Sequence, residues 1–339
     1  MIPLLLRNEI DRSRGRLLGI IDYRYAPLAL GDTMTWLTKL QVEAHIHGLK
    51  KIEILIAAPP EGWQSAPQVN SYNHAAAVQN IFPAFLCAPM VRSVRFYASP
   101  APGASAQRVL GALLARSPTW PYLSSHFRRR LDYHSHLSIN AFFRQHNWIP
   151  KLRSPKEFHS ETDVLRREHF ARRSPCIINI RQSRYTNTPD RLLRDSPVDV
   201  WYRFLRRAHE LWPEVVFVLT GDFGTWDRET ALLPNVVVPR ALGYGLGHEL
   251  TLLLDGAPFL GSNSGFSAVA TFSDVPYGIT RFQYGAKGYM SGIEIEHGEE
   301  HYPFALAHQW LSWVPETEEV LLDLFAKVWA AHKAERPAN

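Results

Sequence analysis

The 339-residue chain has only two cysteines, Cys87 and Cys176, each in an apolar setting, and it contains neither a CxxC pair nor a Cys/His ligand spacing. A disulfide framework is therefore excluded, and a reduced, cytosolic setting is the expectation. No run of about 20 apolar residues occurs, so no membrane span is expected. The opening stretch MIPLLLR is too short for the apolar region of a signal peptide, and no small-residue cleavage site follows it. There is no internal repeat and no low-complexity tract. A Walker loop, a nucleophile elbow and an HExxH helix are all missing, which sets aside the chemistries those motifs carry.

What is present is ordinary globular material, 46% hydrophobic and 20% charged, in a length that suits two domains of roughly 150–180 residues. Ten tryptophans suit either core packing or stacking surfaces for sugars and bases. The net charge is +5, with basic clusters at 128–130, 166–167, 172–173 and 206–207. Such a balance fits a polyanionic partner, a nucleotide diphosphate or an anionic membrane surface, and equally a solvated basic face. No nucleic-acid motif accompanies it, so nucleic acid is disfavoured.

Short apolar runs alternate with amphipathic stretches. Residues 17–23 (LLGIIDY) read as a buried strand, 33–47 as a helix with Met34, Leu37, Leu40 and Ala44 at helical spacing, and 52–58 as a second strand, which makes one βαβ unit. Residues 91–97 suit a further strand. Residues 118–155 lack clear periodicity and read as short helices and loops, with a linker near 151–155. The second half repeats the pattern: strand 176–181, polar loop 184–195, helix 198–212 with Ser196 as N-cap and Pro197 at the first helical position, and strand 215–220. A short strand at 235–239, helix 247–254, strand 258–261, a helix from 266, a strand after Asp274 and a closing helix at 317–332 follow. The fold class expected is α/β, two Rossmann-like domains facing a cleft, split 1–155 and 156–339. In such sheets ligands sit beyond the carboxyl ends of the strands.

Four motifs lie at such ends. In FLGSNSG (259–265), Gly261 and Gly265 permit close approach of a ligand. Ser262, Asn263 and Ser264 supply polar groups, and the next helix aims free N–H groups at the loop, as phosphate sites do. A plain strand–helix turn capped by Ser264 fits the same residues. Arg181 ends an apolar strand, where a guanidinium clamps a diphosphate or forms a structural ion pair; Arg184 is a second candidate. Gly221 and Asp222 end the next strand, suited to a ribose or base, or to an exposed turn. Gly31-Asp32 opens the first helix, where Asp32 is either its N-cap or a general base. Among the fifteen histidines, His126, His134, His136 and His146 cluster, but no carboxylate completes a ligand set and no metal or other cofactor is called for.

In this order the motifs resemble GT-B-fold glycosyltransferases, especially heptosyltransferase-like and fucosyltransferase-like bacterial members. The ordered set is Arg181 at a strand end, a strand ending in Gly221-Asp222, a helix carrying Glu249, then APFLGSNSG (257–265). Leu30-Gly31-Asp32 is similar to the Gly-Asp that opens the first helix of heptosyltransferases, where the Asp is proposed as catalytic base. The resemblance covers 181–281 and, less fully, 17–58. It implies a nucleotide-sugar donor held by Arg181, Arg184, Gly221, Asp222, Glu249, Ser262, Asn263, Ser264 and Gly265. It also implies an inverting, metal-independent transfer with Asp32 as base, to a glycan or lipid-linked acceptor, at the cytoplasmic side of a membrane or free of it. A sugar-nucleotide epimerase of the same fold and a non-catalytic nucleotide- or glycan-binding protein are the alternatives. Acid/base groups such as Asp222 or His248 would serve the epimerase.

Overall fold

Apolar runs without alternation are what strands buried on both faces require. Leu17, Leu18, Ile20 and Ile21 accordingly lie in β1 (Leu17–Asp22), none more than 3% exposed. The computed structural model describes residues 15–22, 29–57, 62, 64–65, 69–70, 72–96, 119–120, 137–182, 195–221, 226–282 and 299–335. They divide into two units, Met1–Pro150 and Lys151–Asn339.

In the first unit β1 is followed by α1 (Leu30–Ile46), β2 (Ile52–Ala57), β3 (Gln64–Ser65), β4 (Val69–Asn70), α2 (His74–Ile81), β5 (Val91–Phe96), β6 (Thr119–Trp120) and α3 (Leu137–His146). Four strands form a parallel sheet in the order β5-β2-β1-β6, and β3 with β4 makes a separate antiparallel ribbon. Met34, Leu37, Leu40 and Ala44 of α1 are fully buried, as their spacing predicts. The helix rests on β1 at Gly19, where a Cβ would stand 2.6 Å from Leu40 Cδ2 and 2.9 Å from Trp36 Cη2. A buried carboxylate, Glu53 of β2, is bonded by Arg16 and, at 2.6 Å, by Arg95.

The second unit runs α4 (His159–His169), β7 (Ser174–Asn179), α5 (Val198–Leu211), β8 (Val215–Leu219), α6 (Arg228–Ala231), β9 (Val236–Val237), α7 (Leu246–Leu254), β10 (Phe259–Ser262), α8 (Gly265–Thr271), β11 (Tyr277–Thr280), β12 (Gln309–Leu311) and α9 (Glu318–Glu335). The sheet order is β12-β11-β10-β7-β8-β9, parallel throughout. One core layer packs Trp201, Phe204 and Leu205 of α5 with Phe217 of β8 and Leu321, Phe325 and Trp329 of α9. Phe204 meets Phe217 and Phe325 edge-on at 5.7 and 6.0 Å, the favoured aromatic geometry.

Several expectations are corrected. Helix α5 does not place Pro197 at its first helical position with Ser196 as cap. Pro197, extended at φ −71° and ψ 107°, is itself the cap residue, and its carbonyl accepts from the N–H groups of Val200 and Trp201. Ser196 is released to a different partner described below. The stretch 151–153, read as linker, is fixed to the second unit. The Leu152 N–H donates to the Phe272 carbonyl at 2.8 Å, Lys151 Nζ to the Ser273 carbonyl at 3.1 Å, and Arg153 pairs with Asp274 at 2.7 Å. Within 118–155, Thr119–Trp120 forms a short strand beside β1 and Leu137–His146 a regular helix. Both cysteines are buried, and burial pushes the Cys176 thiol far up. Three of the clustered arginines are engaged locally: Arg166 with Asp163 and Asp255, Arg207 with Glu210, and Arg173 with the Pro234 carbonyl. Among the described residues no helix is long and apolar enough to cross a membrane.

The winding of each sheet positions the site. In the second unit the chain proceeds from β7 outward through β8 to β9, then returns to lay β10 on the other side of β7 and continues through β11 to β12. The direction reverses between β7 and β10. In the first unit it reverses between β1 and β6. At such a reversal the connections leave in opposite directions and open a crevice beyond the carboxyl ends of the strands.

The β7–β10 contact is unusually close. A Cβ on Gly261 would stand 2.8 Å from the Asn179 carbonyl oxygen and 3.1 Å from its nitrogen. Backbone cannot swing aside as a side chain does. Gly261→Ala is expected to destabilise the protein by about 1–3 kcal/mol, the usual penalty of overpacking. Urea unfolding should show a lowered midpoint, and an unchanged one would mean that the strands separate freely.

Candidate functional site

At the ends of β7 and β10 polar side chains take over, with Arg181 after Ile180 and with Ser262 and Asn263 after Gly261, and they bond across the reversal. Arg181, two residues past β7, donates its backbone N–H to Ser262 Oγ at 3.2 Å and its Nη1 to the Asn263 carbonyl at 3.3 Å. Its Nε lies 3.7 Å from an Asp195 carboxylate oxygen, and both side chains are about four-fifths buried. The Arg181 carbonyl accepts from the Ser196 N–H at 3.0 Å, and Gln182 Nε2 donates to the Ser196 carbonyl at 2.7 Å. The ion pair expected as the structural role of Arg181 is thus made, with Asp195.

Ser262 is fully buried and its oxygen serves Arg181; Asn263 is 8% exposed, and its Nδ2 is buried without a hydrogen-bond partner. Ser264 is the N-cap of α8. Its Oγ accepts from the Ser267 N–H at 3.4 Å, while Ser267 Oγ accepts from the Ser264 N–H at 2.8 Å. The plain capped turn is therefore what Ser264 makes, with Gly265 as the first helical residue. Of the group 262–265, Asn263 has a buried side-chain N–H without a hydrogen-bond partner.

Gly221 follows β8 with φ +139°, open to glycine and costly for other residues. The ends of β7 and β8 are laced beside it, with Asn179 Nδ2 donating to the Thr220 carbonyl at 3.0 Å and Thr220 Oγ1 to the Ile178 carbonyl at 2.9 Å. Asp222 and Arg184 lie outside the described residues, as do His126, His134 and His136. Among the described residues no three His, Cys, Asp or Glu side chains gather as metal ligands do.

Glu249 is wholly buried in the first turns of α7, and Arg240 donates both Nε and Nη2 to its Oε2 at 3.0 and 2.9 Å. A ligand at this edge would meet Arg240, which keeps some exposure, before it met Glu249. His248 Nδ1 accepts from the Gly245 N–H at 3.0 Å, and Nε2 lies 2.6 Å from Glu161, so both ring nitrogens are occupied.

Asp32 in the first unit is not an N-cap. Helix α1 begins at Leu30, its cap residue is Ala29 at φ −139° and ψ 149°, and the Ala29 carbonyl accepts from the Thr33 N–H at 3.0 Å. Asp32 stands half-buried at the third helical position. Because β1 and β2 are parallel, the helix between them runs back along the sheet, and its first turn lies on the side of the strands' carboxyl ends.

Glu316, Thr280, Arg281 and Asp195, which sequence reasoning passed over, belong to the same cluster. Glu316, 5% exposed, accepts through Oε1 from Ser196 Oγ at 3.1 Å and from Thr280 Oγ1 at 2.5 Å. Burial raises its pKa above the usual carboxylate range, against the opposing pull of the Thr280 bond and the Arg281 charge. Arg281, next after β11, donates to the Asp195 carbonyl. A charged residue directly after a strand was the available signal for Arg281; nothing in the local sequence marks Glu316.

No family model matches the chain, and no curated protein matches it in sequence. Solved structures do. A family 9 glycosyl transferase from Veillonella parvula superposes with a TM-score of 0.54 at 11% identity, covering 93% of this chain and 97% of that one. The ADP-heptose lipopolysaccharide heptosyltransferase II of Escherichia coli gives 0.55 at 13% identity, covering 93% and 99%. The chain has the fold of these proteins, the GT-B glycosyltransferase fold, and at such identities the likeness speaks for the fold alone.

Proposed function

We propose that this protein is a glycosyltransferase that moves a sugar from a nucleotide-sugar donor to an acceptor hydroxyl. The observation that carries the reading is the Arg181 arrangement at the reversal between β7 and β10, where a guanidinium, a buried unspent amide N–H and a close-approach glycine meet. In this reading the donor diphosphate lies against Arg181, Asn263, Ser264 and Gly265, with Ser262 holding the Arg181 backbone. Arg184 is a second candidate for the diphosphate, Gly221 and Asp222 are the candidates for the ribose or base, and Glu249 acts by holding Arg240. Asp32 takes the proton of the acceptor hydroxyl, the freed oxygen attacks the anomeric carbon, and the bond to the diphosphate breaks with inversion. The charge that develops on the leaving diphosphate is offset by fixed donors, which needs no metal. The donor's sugar and base are open to any that fit. The acceptor is a glycan or a lipid-linked hydroxyl, reached at the cytoplasmic face of a membrane or free of it.

Titration calorimetry with nucleoside diphosphates tests the donor site. The wild type is expected to bind at least one of them. Arg181→Ala is expected to bind it about 10–100-fold more weakly, the equivalent of one or two charge-assisted hydrogen bonds. Equal binding by the two proteins, or none by either, would overturn the reading.

A further inference from the structure

Arg281 is in a conformation that its side chain alone does not justify. Its φ is +61°, the left-handed region, which non-glycine residues enter at a penalty and which clusters at functional sites. The residue directly follows β11, whose last position, Thr280, is in register with Ser262, the last position of β10. The Asn263 N–H donates to the Thr280 carbonyl at 3.0 Å. Arg281 and Asn263 thus leave neighbouring strands at the same level, on the side of β10 opposite Arg181.

The side chain of Arg281 is held but not satisfied. Nη2 donates to the Asp195 carbonyl, and the Glu316 carboxylate lies close enough to interact with its charge. Nε is buried and has no hydrogen-bond partner, and the same is true of Asn263 Nδ2. Buried donors are rarely left unpaired, and such a group in a native fold asks for a missing acceptor. Here two of them stand on adjacent strand ends, one on a cation and one on an amide that is more than nine-tenths buried. An oxygen-rich anion supplies acceptors to both.

The surrounding residues act as a frame rather than as competitors. Glu316 spends Oε1 on Ser196 and Thr280, tying the start of α5 to the end of β11. Ser196 in turn bonds the Arg181 backbone. One buried carboxylate therefore fixes the spacing between the two strand ends that carry the arginines. Its own charge and that of Asp195 oppose two guanidiniums, so an empty site is not left with a strongly repulsive pair.

We infer that Arg281 is a second phosphate-binding cation, opposite Arg181 across β10, and that Glu316 is the positioning residue that sets the distance between them. The inference rests on the donor-phosphate reading above. It adds that the anion is gripped from both sides of β10, by β11 as well as by β7.

The test uses the full chain and a panel of ADP, GDP, UDP, CDP and dTDP, each paired with its nucleoside. Arg281→Ala is expected to weaken the diphosphate that binds wild type by about tenfold or more while leaving the nucleoside unchanged. Arg281→Gly relieves the left-handed strain. It is expected to lose the same affinity while its melting temperature holds or rises, whereas a purely structural arginine would lower it. Glu316→Gln, which keeps shape and hydrogen bonding, is expected to retain affinity within about threefold of wild type, and Glu316→Ala to lose it. Two outcomes overturn the inference and leave the donor reading standing: Arg281 variants that bind like wild type while Arg181→Ala does not, and equal losses for diphosphate and nucleoside. Absence of any diphosphate binding by wild type overturns both.

Discussion

Asp32→Asn is expected to slow release of nucleoside diphosphate from the sugar donor by about 10²–10⁴-fold, the range that general base catalysis contributes. Asparagine matches aspartate in size and can still fill the first turn of α1, but it cannot take a proton from an attacking hydroxyl. Affinity for the nucleoside diphosphate should stay within about twofold, because the proposed donor contacts lie in the other unit. Stability should fall only slightly. A carboxylate in the first turn gains about 0.3–1 kcal/mol from the helix dipole, and Asp32 stands there without serving as the cap. The combination separates the base from a merely structural residue, whose loss would appear in the melting temperature. The measurement is a coupled assay for released diphosphate, run with the donor that the binding panel identifies. Turnover near the wild-type rate would exclude Asp32 as the base.

Glu249→Ala should produce the largest loss of stability, about 3–5 kcal/mol, as when one partner is removed from a buried ion pair. Glu249 is completely buried and receives two donors from Arg240, whose side chain is 17% exposed. Alanine would remove the acceptor and leave the guanidinium in a setting built to neutralise it. Against a typical domain stability of roughly 5–15 kcal/mol, such a loss leaves little margin. Arg240→Leu combined with Glu249→Leu should recover much of it, since a well-packed apolar pair often equals or exceeds a buried ionic one. Urea unfolding of the two single variants and the double variant decides the matter. A single variant as stable as wild type would mean that the pair adds nothing net. If Glu249 also holds Arg240 for a ligand, the double variant will be stable and bind less well, which distinguishes packing from recognition.

The sequence was most legible where burial is most complete. Leu17–Asp22, Ile52–Ala57, Val215–Leu219 and Phe259–Ser262 lie within two residues of their expected bounds, because strands covered on both faces need unbroken apolar runs. Helix α5 was equally clear from its stripe of Val200, Trp201, Phe204, Leu205 and Ala208. Helix α4 was not, since only Thr162 and Leu165 of its eleven residues are buried and a polar surface helix has no stripe to read. The strands Thr119–Trp120 and Gln309–Leu311 are too short to show any period. In the candidate site, Arg181 and Asn263 could be picked out because each closes an apolar run. Glu316 could not: its partners Ser196 and Thr280 stand 120 and 36 residues away in the chain. Nor does sequence reveal a left-handed arginine, as glycine is the residue that advertises such angles. The start of α1 and the cap of α5 depart from expectation for one reason. Cap residues were sought among Asp and Ser, whereas the backbone turned into helix at Ala29 and Pro197, which offer no side-chain acceptor.

The polar residues of the site stand beyond the strands or at their last positions, whereas the strands themselves are apolar and enclosed. These two sets of positions answer to different demands over time. A strand interior asks only for bulk and apolarity, which many sequences satisfy, so substitution there can run on while the winding stays as it is. The ends can be rewritten one loop at a time without disturbing the sheet. Two proteins sharing 13% of their residues can therefore have the same winding over nearly their whole lengths. It also means that changes in what such a protein handles will be found in the few residues after each strand, and that the strands will say little about them.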